Sequence, residues 1–146
     1  SKKFTKEFLL WVEKQTIMEV TSNNKTDSIV ARARFPYENT VVYPGSATIS
    51  RTYAKQTNGF IVCRIIITCK EDHLQVRLSD FEHVPSAQSE NISFGPITNA
   101  ENPPKHLMMD YDAGWCAGVW EELKKRSAEH SSSFFLQFGS EIANTK

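Results

Sequence analysis

The sequence lacks most of the features that announce a function. It has no excess charge of either sign, because seventeen Lys and Arg offset seventeen Asp and Glu among 146 residues, and its pI is near 6.9. A neutral chain has no global field to draw it to nucleic acid or an anionic membrane, so no nucleic-acid partner is expected. It also lacks a disulfide framework. Cys63 and Cys69 stand six residues apart on one extended run, which puts their Cα atoms about 20 Å apart, beyond the roughly 7 Å a disulfide spans. Cys116 is the remaining possible partner, but all three read as buried free thiols. That fits a reducing compartment, or an exported domain large enough to fold without staples.

Metal and catalytic motifs are missing too. His73, His83, His106 and His130 are scattered without HExxH spacing, and no CxxC, Gly-rich phosphate loop or GxSxG elbow occurs. Neither a metal nor a cofactor is expected. Asp110 and Asp112 form a DxD that reads as helix capping. Cys116, near a predicted helix start where a thiol's pKa would fall, is the one nucleophile candidate, and no motif ties a His or Asn to it. Asn24-Lys25-Thr26 and Asn91-Ile92-Ser93 match the glycosylation sequon, which matters only in a eukaryotic secretory pathway. No apolar run is long enough for a membrane helix, and no signal peptide is seen. The chain starts at Ser1 without Met, which leaves an export signal to be sought upstream.

What is present is a sheet. The length suits a single α+β domain over 1–146 with a substantial core. Its densest apolar block, Phe60 to Cys69 (FIVCRIIITC), is too short for a membrane span and too rich in Ile and Val for a helix, so it reads as the central strand. Asn58-Gly59 before it and Lys70-Glu71-Asp72 after it are turn signals. Ile29, Ala31, Ala33 and Phe35 alternate with Val30, Arg32 and Arg34 in a strand ended by Pro36. Ala47 to Ala54 (ATISRTYA) reads as another strand after the Pro44-Gly45 loop, and Leu74, Val76 and Leu78 mark one running to about Phe81.

Helical spacing appears at both ends. Phe4, Phe8, Trp11 and Val12 predict an amphipathic helix over Lys2–Gln15, followed by an extended piece at Ile17–Val20 and a polar turn over Thr21–Asp27. Asp112 is the expected N-cap of a helix carrying Trp115, Val119 and Leu123, with Glu121/Lys125 and Glu122/Arg126 pairs on its wet side. Ser131–Ser133 is expected to interrupt it, and Phe134, Phe135, Phe138 and Ile142 to form a shorter terminal helix. Between sheet and helix, His83 to Pro104 carries four prolines and reads as a mobile surface loop with a short edge strand at Asn91–Gly95. The expected architecture is a two-layer α+β sandwich: an antiparallel meander of four or five strands with helices on one face.

The segments FTKEFLLWVEKQ, DSIVARARF and ISRTYAKQTNGFIVCRIIITCKEDHLQVRLSDFE resemble a bacterial domain family with a TATA-box-binding-protein-like fold, found largely in exported proteins of Bacteroidetes. The resemblance covers about the first two thirds of the chain. It implies that fold and a periplasmic, cell-surface or secreted location, and it implies no activity. In that family a strand precedes the first helix, so the expectation is a sheet short of one edge strand or a chain trimmed ahead of it. DNA binding does not carry over, since the chain has neither an internal repeat nor a basic surplus.

Two surfaces are candidates for binding, as alternatives. If Ile29, Ala31, Ala33, Cys63, Ile65, Ile67, Leu74, Val76 and Leu78 face the core, alternation sets Arg32, Arg34, Arg64 and Arg77 on the opposite face, with Val62 and Ile66 beside them. Guanidiniums so grouped suit an anionic ligand or an acidic protein. The commoner role of such arginines is that of ordinary solvated surface charges. The alternative is a carrier for a small apolar ligand, with a cavity between the sheet and the aromatic helical layer; those aromatics otherwise form a packed core.

Overall fold

The computed structural model describes residues 18–24, 28–69 and 74–144. The helix expected over Lys2–Gln15 and the last residues of the Thr21–Asp27 turn lie outside them. The strands are β1 (Met18–Asn24), β2 (Ser28–Tyr37), β3 (Gly59–Cys69), β4 (Leu74–Pro85) and β5 (Gly95–Pro96). The helices among the described residues are α1 (Ala47–Thr57), α2 (Lys105–Asp110) and α3 (Ala113–Asn144). The strands lie in chain order in one sheet, and the β1–β2 and β4–β5 pairs are antiparallel. The α+β meander expected from the sequence is the architecture found.

Several elements differ from expectation. Residues 47–54, read as a strand, are helical. Ser46 caps that helix by accepting the Ile49 N–H (3.3 Å), and the Thr52 and Thr57 hydroxyls donate to the carbonyls of Thr48 (2.9 Å) and Tyr53 (2.7 Å). Thr favours strands because of its branched Cβ, and within this helix its hydroxyls are satisfied by the helix's own carbonyls. Most of the predicted polar turn after Val20 belongs to β1, and Pro36 stands within β2, on an exposed position. The edge strand lies at Gly95–Pro96, beyond most of Asn91–Gly95. Ser131–Ser133 leave α3 continuous over 32 residues.

The described residues divide into two compact units. One takes those of Ser1–Phe35, Val62–Asp80 and Ser131–Lys146; the other takes Pro36–Ile61 and Phe81–His130. In the first, strand periodicity decides burial: Ile29, Ala31, Ala33, Phe35, Cys63, Ile65 and Ile67 are buried, whereas Val76 and Leu78 are only partly so. Val62, expected on the open face, is 7% exposed and also buried. Phe134 is buried, while Phe135, expected on the same apolar face, is exposed.

In the second unit the strand ends supply Tyr37 and Ile61 to a core that α3 completes with Trp115, Cys116, Val119, Trp120 and Leu123. Each large apolar side chain buried there contributes roughly 1.5–3 kcal/mol. Ile92 and Phe94 belong to the same core, so the stretch after His83 is not the mobile surface loop its composition suggests. Its backbone is pinned as well. The N–H groups of Ile92 and Ile97 donate to the carbonyls of Gln56 (3.0 Å) and Phe81 (2.7 Å), and Ala100 O accepts from Trp120 Nε1 (2.9 Å) and Lys124 Nζ (3.1 Å).

Candidate functional sites

Along β2 and β3 the arginines fall on positions that alternate with buried ones. Arg32, Arg34, Arg64 and Arg77 are all exposed. In the β1–β2 register Glu19 stands opposite Arg32. Arg64 comes within 4.0 Å of Asp80, with the two side chains 53% and 73% exposed. An ion pair this long and this wet contributes little, so it does not withdraw the guanidinium from other partners. Ile66 is partly buried on the same parity as Arg64, and Val62 is withdrawn from that surface.

Near the end of β4 the buried positions change parity. Before Asp80 the half-buried apolar residues are Val76 and Leu78, with Ser79 beside them, and after it Phe81 is half-buried and His83 buried; Asp80 itself has φ +56°. The left-handed residue at Asp80 coincides with this change of parity, as a local departure from extended geometry changes which side chains face the core. His83 becomes buried through this change, and no motif singles it out. The step of three from Leu78 to Phe81, where alternation requires two, is the signal that marks it.

His83 is fully buried and bonded through both ring nitrogens. Its Nδ1 accepts the Phe94 N–H (2.9 Å), so its proton sits on Nε2, which donates to Thr57 O (2.7 Å). Burial lowers its pKa, against a smaller opposing effect of the bond to Thr57. Beside it Asn39 Nδ2 donates to Thr57 Oγ1 (2.8 Å), Asn39 Oδ1 accepts the Val41 N–H (2.8 Å), and Asn58 Oδ1 accepts the Asn39 N–H (2.7 Å). These groups tie the end of α1 to β4 and to the segment reaching Phe94. Such a satisfied buried network specifies structure; it leaves the imidazole with no free nitrogen for acid–base work.

Other sequence candidates resolve into structure. Asp112 Oδ2 accepts the Trp115 N–H (2.9 Å), so the DxD is a helix cap. Cys116 is buried, its Sγ donates to Leu107 O (3.5 Å), and burial with the Asp112 charge pushes its pKa up to about 11. Cys116 is thus a buried free thiol, and desolvation with a nearby anion disfavours its thiolate, which does not support the nucleophile reading. Burial likewise pushes Cys63 up to about 12. Glu122 does not pair with Arg126 as expected. It accepts from Tyr37 OH (2.7 Å), the Thr40 N–H (3.1 Å) and Thr40 Oγ1, while Lys124–Glu121 and Arg126–Glu129 form the ion pairs. Among the described residues no cluster could hold a metal ion, and no helix is long and apolar enough to cross a membrane.

The aromatic residues of the second unit pack on one another. Trp115 has Tyr43, Tyr53, Phe94 and Tyr111 around it at centroid distances of 5.1, 5.7, 6.1 and 6.0 Å. At the margin of this cluster an open groove of about 540 Å³ lies along α1, lined by Thr48, Thr52 and Gln56 of the helix, by Glu90 and Asn91, and by Tyr53 and Tyr111 of the cluster. Its volume lies within the roughly 300–1,000 Å³ range of ligand sites. No known protein family matches the chain, and neither a curated protein nor a solved structure is significantly similar to it.

Proposed function

We propose that this chain is a non-catalytic binding module whose arginine-bearing sheet face meets an acidic protein segment or another anionic ligand. The observation that supports it is the exposure of Arg32, Arg34, Arg64 and Arg77 on strands whose alternate positions are buried or sheltered. Guanidinium planes held on a sheet pair bidentately with carboxylate or phosphate. Ile66, on the parity of Arg64, adds apolar area that suits a protein surface. Placing the module in an exported bacterial protein, with a TATA-box-binding-protein-like sheet, rests on the sequence resemblance. Reading the encoded sequence upstream of Ser1 for an export signal tests the location.

The face itself is tested by titration with a poly-glutamate peptide and, separately, with inorganic pyrophosphate. Binding of either is expected to weaken as salt screens the charges. It should disappear in an Arg32→Glu/Arg64→Glu double variant that melts like the parent. Binding that survives this reversal, or absence of binding to both probes at low salt, removes the reading.

A further inference from the structure

We infer that the groove along α1 binds a neutral saccharide, hydrogen-bonded by a row of polar side chains on the helix and stacked against tyrosine at its margin. This inference stands apart from the arginine face, which shares no residue with it.

The row follows from helix geometry. Thr48, Thr52 and Gln56 recur every four residues, so they stand one above another on one face of α1 over about 12 Å. The Thr48 hydroxyl and the Gln56 amide can both donate and accept, the Thr52 hydroxyl, which donates to Thr48 O (2.9 Å), keeps its oxygen as an acceptor, and across the groove Asn91, whose Nδ2 donates to Ala87 O (3.1 Å), keeps its Oδ1 and a second N–H. A sugar hydroxyl also does both, and a linear run of hydroxyls is what such a row matches.

The tyrosines are set in advance of any ligand. The Tyr53 ring stacks on Tyr43 at 4.0 Å with 24° between planes, and meets the Tyr111 ring edge-on at 5.8 Å and 80°. Tyr43 is held in turn by its hydroxyl, which accepts the Asp112 N–H (2.9 Å). Of these rings, Tyr53 and Tyr111 line the groove. Rings already fixed lose little freedom on binding, and the C–H face of a sugar ring is the apolar surface they can cover.

The lining disfavours the other classes. It contains no Lys or Arg to neutralise a phosphate or carboxylate, and Ile49 is its only aliphatic side chain, too little for a lipid. Glu90, the one acidic side chain of the lining, holds φ +53°, a left-handed conformation uncommon for glutamate. Backbone outliers of this kind gather at ligand-binding positions. Gln56 Nε2 reaches Glu90 Oε2 at 3.5 Å across the groove, a long contact that a ligand hydroxyl can replace with shorter bonds to both.

The test is titration of the protein with cellobiose, maltose, mannobiose and chitobiose and their trimers, followed by amide NMR, with tetramethylammonium and inorganic phosphate alongside. At least one saccharide should shift the amide resonances of residues 48–56 and 90–91. It should bind about tenfold more weakly after Gln56→Ala or Tyr111→Ala, and with near-parental affinity after Tyr111→Phe, which keeps the ring. Gln56→Ala removes no buried group, so it keeps the test open if Tyr111→Ala fails to fold. The inference is overturned if no saccharide moves those resonances, if Gln56→Ala leaves saccharide binding unchanged, or if tetramethylammonium or phosphate saturates the same resonances where sugars do not.

Discussion

Gly59 and Gly95 are each favoured as glycine for a different physical reason. A Cβ on Gly59 would lie 2.3 Å from Val84 O and 2.6 Å from Ser86 N, so backbone passes directly over it. At Gly95 a Cβ would meet nothing within 4 Å, but the residue holds φ +64°. Gly59→Ala must therefore push backbone aside, and is expected to cost about 2–3 kcal/mol. Gly95→Ala should cost roughly 1–2 kcal/mol from the left-handed conformation alone, and Gly95→Asn less, because Asn tolerates that region. Urea midpoints of the three variants check the order; a Gly59→Ala protein as stable as the parent would contradict the close approach. Asn58-Gly59 was legible as punctuation, yet its cause was not, since a turn signal and a backbone crossing look alike in sequence. The arginine positions were legible because strand parity is local. His83 was not, because one residue at Asp80 reverses that parity.

At the scale of elements, β2, β3 and β4 were readable because one covered face imposes a period of two on the residues themselves. Helix α1 was not, because its Thr, Ile and Tyr content favours a strand and Thr57 is its only fully buried residue. Local hydrogen bonding outweighs intrinsic preference there, and the decisive residue is Ser46, which sequence composition assigns to a loop. Removing its hydroxyl in Ser46→Ala should destabilise α1 by about 1 kcal/mol. The loss should be local: amide exchange at Ile49 and its neighbours should accelerate, while exchange in the core of α3 at Val119 and Leu123 stays slow. Uniform acceleration across both helices would show that α1 does not open independently. The continuity of α3 through three serines has a related cause. Serine is only mildly unfavourable in a helix, and Trp115, Val119 and Leu123 on one side and Phe134 on the other give both flanks buried anchors.

For the molecule as a whole, His83 couples stability to acidity. The folded state binds it neutral, with Nδ1 accepting the Phe94 N–H and Nε2–H donating to Thr57 O. An added proton on Nδ1 would face that N–H donor, and burial already depresses the pKa below its ordinary 6.5. The unfolded chain takes up the proton near pH 6.5 and the folded one resists it. Stability is therefore full above that pH and falls as pH drops below it, by up to about 1.4 kcal/mol per pH unit until the depressed folded value is reached. His130, whose pKa burial and Arg126 also lower, acts in the same direction, so each site needs its own variant. Gln can copy the pairing of His83, its amide donating to Thr57 O and its carbonyl accepting from Phe94, but it cannot be protonated. His83→Gln should thus fold at neutral pH with a modest loss and lose stability less steeply than the parent between about pH 7 and 5. His130→Gln should retain most of the parental slope. Urea unfolding across that range measures all three, and an equal slope in parent and His83→Gln would mean that the buried imidazole accepts its proton in the folded state.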